Sequence, residues 1–201
     1  MSLQTVFIVD DDEAVRDSIK ELVVSVGLAA ETYASAIDFL AKFDERRTGC
    51  LVLDLRMARM SGLALQARLN ELGSRLPIVF ITGHADVPTA VSALRAGALS
   101  FVTKPYREQE LLDSINEALA RDAAERNAAV RDTRFAAALD TLTEREREVM
   151  DHAVTGLPSK EIAQRLGISH RTVELHRSRV LEKLGVGSIV ELIRIAAERR
   201  S

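Results

Sequence analysis

The sequence predicts an α/β domain built on a doubly wound parallel sheet, joined by a long helical linker to an all-α domain of four short helices. Three observations carry this. Along the first 105 residues, apolar runs of strand length alternate with longer segments of helical period. From Tyr106 to Thr155 there is neither glycine nor proline. Beyond that stretch, short helical segments recur behind capping residues, and Gly167 splits two of them.

The strand runs are "TVFIV", "LAAETY", "CLVLDL", "PIVFIT" and "LSFVTKP". Between them lie "DEAVRDSIKELVVSVG", "SAIDFLAKFDE", "SGLALQARLNELG" and "DVPTAVSALRAG", several of which stop at glycine, as helices often do. A fifth helix follows Pro105. Right-handed crossovers in an open sheet of this kind place a ligand beyond the carboxyl ends of the strands.

Leu112, Ile115 and Leu119 complete the last helix of the first domain, assigned to residues 1–121. An alanine-, glutamate- and arginine-rich helical linker spans 122–139, with 122–134 read as a solvated spacer. The second domain, 140–201, opens with a capping box, Thr143 and Glu146, at a helix start. In "GLPSKEIAQRLGISHRTVELHRSRVLEKLGV" two helices follow, with Ser169 able to cap the second, and Ser188 with Glu191 repeats the box. That is helix-turn-helix spacing.

A chain of 201 residues has room for two modest cores. Its apolar runs are too short for a bilayer, and "MSLQTVFIVDDD" lacks the basic start of a signal peptide, so a cytoplasmic location without membrane association is expected. The single cysteine, Cys50, sits in an apolar run and reads as a buried hydrophobe. The formal net charge of −3 hides an asymmetry: residues 1–120 carry −5 and residues 121–201 carry +2. Six basic and three acidic side chains lie within 159–183.

Polar groups gather at the strand ends: Asp10, Asp11 and Asp12 after the first, Asp54 at the third, Thr82 at the fourth, Lys104 at the fifth. Singly, each has an ordinary reading: Asp12 caps a helix, Thr82 ends a strand, Lys104 is a surface charge. Together, clustered carboxylates repel unless a cation lies among them, and such oxygen ligands suit Mg²⁺. A carboxylate beside a bound cation, a lysine and a hydroxyl has the parts for accepting a phosphoryl group.

The ordered segments "FIVDDDEAVR", "LVLDLRM", "FITGH" and "FVTKP" resemble the receiver domain of two-component response regulators, which has a (βα)5 flavodoxin-like fold. The resemblance implies that Asp54 accepts phosphate from a cognate histidine kinase and that Asp10, Asp11, Asp54 and the backbone carbonyl of Arg56 organise Mg²⁺. It further implies that Lys104 binds the phosphoryl oxygens, Thr82 is the switch hydroxyl, and Phe101 turns inward with it. For Phe101, ordinary core packing is an equal reading. Arg56 and His84 resemble positions that govern access of hydrolytic water. Where the family usually carries proline after the phosphoacceptor, this chain has Ala58, so the loop is less constrained in φ. A rival resemblance, to haloacid-dehalogenase-type phosphatases, makes Asp10 the nucleophile but gives no role to Asp54 or to residues 140–201.

Residues 140–200 resemble the LuxR/NarL-type helix-turn-helix domain, and the chain as a whole is similar to FixJ-like regulators. Val173, Val180, Leu181 and Leu184 form the stripe that faces the core. The resemblance places base readers at Glu174, Leu175 and Ser178, with Arg171, Thr172, His176, Arg179 and Lys183 as candidates for phosphate contact on double-stranded DNA. Arg177 fits either group, and for any one of these charges a solvated face is the alternative. A phosphorylated homodimer is expected, pairing through Ile189, Val190, Ile193 or Ala196, which could equally be core. Phosphorylation at Asp54 would draw Thr82 inward, repack the face made by the fourth helix, fifth strand and fifth helix, and favour dimerisation or release of the DNA-binding domain. RNA polymerase is the further partner such a transcription regulator implies. A relay or scaffold protein that never meets DNA leaves the helix-turn-helix unexplained.

Overall fold

Alternation along the strands decides the architecture of the first unit. In β1 (Thr5–Val9) the side chains of Phe7 and Val9 enter one core and those of Val6 and Ile8 the other. The same division splits Leu51 and Leu53 from Cys50 and Val52 in β3 (Gly49–Asp54), and Ile78 and Phe80 from Val79 and Ile81 in β4 (Ile78–Thr82). Strands buried on both faces read as continuous apolar runs and require helices on each side. With β2 (Ala29–Tyr33) and β5 (Ser100–Thr103), the sheet is parallel in the order β2-β1-β3-β4-β5.

This computed structural model describes residues 4–83 and 87–198, which form two units, residues 1–127 and 128–201. In the first, α1 (Glu13–Ser25) and the first half of α5 (Glu108–Asp140) cover one face through Ile19, Val23, Leu111 and Ile115. The other face is covered by α2 (Ala36–Ala41), α3 (Gly62–Glu71) and α4 (Val87–Arg95), through Phe39, Leu65, Leu69 and Ala93. Cys50 is buried, and desolvation pushes its thiol up to about 12, which makes it inert.

The solvated spacer expected at 122–134 is corrected at its start. Asp122 is only 1% exposed, and its carboxylate accepts from the Gly49 N–H at 3.0 Å and from Arg126 Nε at 2.7 Å. Arg126 also donates to the Arg47 carbonyl. The reason is helical period: Asp122 lies seven residues after Ile115, on the same buried face, so the receiving strand edge extends the contact past residue 121. Farther along α5, Phe135, Ala138 and Leu139 pack into the second unit's core.

The second unit contains α6 (Glu144–Ala153), α7 (Ser159–Leu166), α8 (His170–Leu184) and α9 (Ile189–Glu198). The capping box at α6 forms in full. Gly167 ends α7 in the left-handed conformation at φ 66°, which a side chain would strain. Ser169 then caps α8 by accepting from the Thr172 N–H at 3.1 Å. At α9 the repeated box is altered: Ser188 Oγ accepts from the Glu191 N–H, but the Glu191 carboxylate takes the Gly187 N–H.

Candidate functional sites

Parallel register brings the strand ends of the first unit level. Val9 pairs with Leu53, so the next residues, Asp10 and Asp54, leave β1 and β3 side by side at the point where strand order reverses. Thr82 pairs with Thr103, which sets Lys104 one residue beyond. Lys104 Nζ donates to Asp10 Oδ2 at 2.8 Å and to Asp54 Oδ1 at 3.0 Å. The remaining carboxylate oxygens take backbone donors: Asp12 N–H to Asp10 Oδ1 at 2.9 Å and Arg56 N–H to Asp54 Oδ2 at 2.8 Å. Thr82 is buried at the end of β4, and its carbonyl accepts from the Lys104 N–H at 2.7 Å.

Two largely buried carboxylates thus share one ammonium. Burial pushes the Asp54 carboxyl up; the Lys104 hydrogen bond pulls it back, and the like charge of Asp10 adds to the rise. For Lys104, burial works downward but is outweighed by Asp10 and Asp54, so its ammonium is held above the ordinary range. The cluster keeps excess negative charge, and its hard oxygen donors fit Mg²⁺. Among the described residues, no three acidic side chains are gathered into a ready cage. Asp11 instead accepts from the Ala58 N–H at 2.9 Å.

The loop between β3 and α3 is tightly built. Met60 N–H donates to the Ala58 carbonyl at 2.8 Å around Arg59, whose φ of 67° marks the rarer, strained kind of γ-turn. A Cβ on Gly62 would meet the Asp54 carbonyl oxygen at 2.4 Å, so glycine is what lets α3 start against the end of β3. Phe101 is half-buried against the core that contains Phe80. His84 lies outside the described residues.

In the second unit, Val173, Val180 and Leu184 of α8 are buried and Leu181 is half-buried. Arg171, Glu174, Leu175, Ser178 and Arg179 are exposed on the remaining surface, with Thr172 and His176 half-buried. Arg177 is turned toward α7, where it donates to the buried Ser159 hydroxyl, with Glu174 at 3.9 Å. Lys183 donates to Glu146 Oε2 at 2.6 Å and to the Thr141 carbonyl at 3.0 Å. Of the four dimer candidates, Ile189 packs into both cores of this unit, Ile193 and Ala196 are half-buried, and Val190 is 76% exposed.

Comparison with known proteins places these two units in families. Residues 6–116 match the response regulator receiver domain, and residues 140–196 match the bacterial regulatory proteins of the luxR family. The chain belongs to the two-component response regulators. It is 44% identical over 197 residues to the transcriptional regulatory protein FixJ of Rhizobium meliloti, covering 98% of this chain and 96% of that one. The C4-dicarboxylate transport transcriptional regulatory protein DctR of Rhodobacter capsulatus is 46% identical over 195 residues, with 95% and 98% covered. Among solved structures, the response regulator StyR aligns with a TM-score of 0.81 at 41% identity, over 98% of this chain and all of that one. The phosphatase resemblance is thereby overturned: the receiver match runs across all four strand ends and leaves the second domain to a DNA-binding family.

This response regulator holds two features that the sequence reading did not include. The Asp122 tie to Gly49 was legible as a polar residue in phase with Ile115 and Leu119. The Ala58 N–H on Asp11 had no signal, because a backbone donor is common to every residue except proline.

Proposed function

We propose that Asp54 is the phosphoacceptor of this receiver domain, and that its phosphorylation by a cognate histidine kinase promotes pairing of the chain on DNA. The observation that carries the reading is the Lys104 ammonium shared between Asp10 and Asp54. A free-standing ion pair would need one carboxylate; a second one leaves charge to be balanced by something that binds. Asp10, Asp11, Asp54 and the Arg56 carbonyl would hold Mg²⁺. Bound there, the ion supplies neutralising charge to the oxygens of the incoming phosphoryl group.

An Asp54 carboxylate oxygen attacks phosphorus as the bond to the kinase histidine nitrogen breaks, and the nitrogen keeps the electron pair. Lys104 donates to the transferred oxygens, and the Thr82 hydroxyl, one strand away, moves toward them while Phe101 takes the space it leaves. Exposed Val91 and Leu94 on α4 support dimerisation as the output of that movement.

In the second domain, α8 enters the major groove. Glu174, Leu175 and Ser178 meet base edges, and Arg171, Thr172, His176 and Arg179 meet phosphates. Arg177 braces α7 against α8 instead, and Lys183 is committed to Glu146. Val190 is the pairing residue on α9, RNA polymerase is the downstream partner, and the protein works in the cytoplasm. No helix among the described residues is long and apolar enough to cross a membrane.

The test is intact mass of wild type, Asp54→Asn and Asp10→Asn after incubation with a small phosphodonor and Mg²⁺. The phosphoryl adduct is expected to vanish in Asp54→Asn. Its persistence there would overturn the assignment.

A further inference from the structure

We infer that the Ala58 N–H is a positioning group that engages the Asp11 carboxylate in competition with a bound cation and thereby sets how tightly this receiver binds Mg²⁺. The inference rests on the reading of Asp10, Asp11 and Asp54 as the Mg²⁺ ligands.

Three observations converge on Ala58. Its N–H donates to Asp11 Oδ2 at 2.9 Å, across 47 positions of sequence. Its carbonyl, in the next peptide group, accepts from the Met60 N–H at 2.8 Å, which closes the turn around Arg59. Asp10 and Asp54 already share Lys104, whereas Asp11 makes its one described side-chain hydrogen bond to this loop and is not gathered with them. Both backbone groups of Ala58 are therefore engaged, and one of them occupies a carboxylate that the metal needs.

A hydrogen bond to an ionised carboxylate is among the stronger ones, and a cation that draws on the same oxygen competes with it for electron density and for orientation of the carboxylate. Proline cannot make this bond, because it has no N–H. Alanine at 58 thus converts a loop that would otherwise only shape the site into one that competes with the metal for Asp11. Metal binding and release of the β3–α3 loop become linked: each favours the other, by no more than the strength of one hydrogen bond.

The experiment measures Mg²⁺ affinity of the full chain by isothermal titration calorimetry for wild type, Ala58→Gly and Ala58→Pro, with circular dichroism as the control for folding. Ala58→Gly keeps the N–H and is expected to bind as wild type does. Ala58→Pro is expected to bind on the order of tenfold more tightly, the worth of one partly exposed charge-assisted hydrogen bond. Equal or weaker binding by a folded Ala58→Pro overturns the inference. A second measurement needs no variant: in ¹⁵N-alanine-labelled wild type, the Ala58 amide proton is expected to shift upfield and lose exchange protection as Mg²⁺ is added. An amide that stays put while Mg²⁺ binds overturns the inference even where Ala58→Pro does not fold. Absence of any Mg²⁺ binding by wild type would instead sink the metal-site reading on which it rests.

Discussion

Replacing Lys183 by methionine separates two roles that its position on α8 leaves open. The ammonium lies 2.6 Å from Glu146 Oε2, and the Glu146 carboxyl is drawn from 4.5 down to about 2, chiefly by that hydrogen bond and then by the Thr143 N–H. At about 1.36 kcal/mol per pKa unit the whole displacement corresponds to a ceiling of ~3 kcal/mol. Two corrections lower the share due to Lys183. Its side chain is 34% exposed, so solvent screens it, and the Thr143 N–H bond survives the substitution. Lys183→Met should therefore cost the second unit ~1 to 2 kcal/mol, even with apolar stem packing preserved. Because the folded carboxyl takes up its proton less readily than the unfolded chain's, the stabilisation is complete above about pH 4.5 and is lost as pH falls toward about 2. The deficit of the variant should accordingly be full near neutral pH and shrink across that acidic window. Amide hydrogen exchange of peptides from residues 143–184 reads it within this unit. DNA titrations against salt complete the test: the slope of log affinity should match wild type, whereas loss of a phosphate contact would lower it by ~0.9. A lowered slope with unchanged exchange would refute the structural assignment.

Arg179→Ala should behave in the opposite way, weakening binding evenly across sequences and reducing the salt slope by ~1 with no loss of stability, as read by the same titrations and by thermal unfolding. Asp122→Ala leaves the buried Gly49 N–H without its acceptor and Arg126 without its partner, so calorimetry should show the first unit destabilised by ~2 to 3 kcal/mol. Val190→Asp should leave the circular dichroism spectrum unchanged, because the side chain is exposed, and should abolish cooperative occupancy of paired half-sites in footprinting.

What the sequence made legible, and what it did not, follows from where the interacting groups lie in the chain. Apolar runs bounded by turn residues marked β1, β3 and β4, because strands buried on both faces leave no other pattern, whereas the edge strand β2 carries exposed Glu31 and Thr32. Asp10, Asp54, Thr82 and Lys104 could be singled out because strand ends are where such a sheet brings side chains of different strands together. Asp122, inside the stretch read as a solvated spacer, falls in phase with Ile115 and Leu119, and that phase was the one signal of its burial against Gly49. The Thr143–Glu146 box was local and therefore visible. The second partner of Glu146 lies 37 positions away, and no local pattern connects them.

Lys104 and Lys183 make nearly the same contact, an ammonium against a buried carboxylate, yet charge balance gives them different uses. Lys183 meets one carboxylate whose other donor is a backbone N–H in a completed capping box, so every charge there has its counterpart and nothing further is needed. Lys104 meets two, with Asp11 nearby in sequence and held only by a loop amide. A satisfied pair of this kind contributes to folding and resists change; an unbalanced cluster is costly to bury and persists where something binds to complete it. Position in the sequence sets Lys104 at a strand end and Lys183 on a helix rich in cations. The count of carboxylates around each one separates the brace between α6 and α8 from the centre of the proposed phosphoacceptor site.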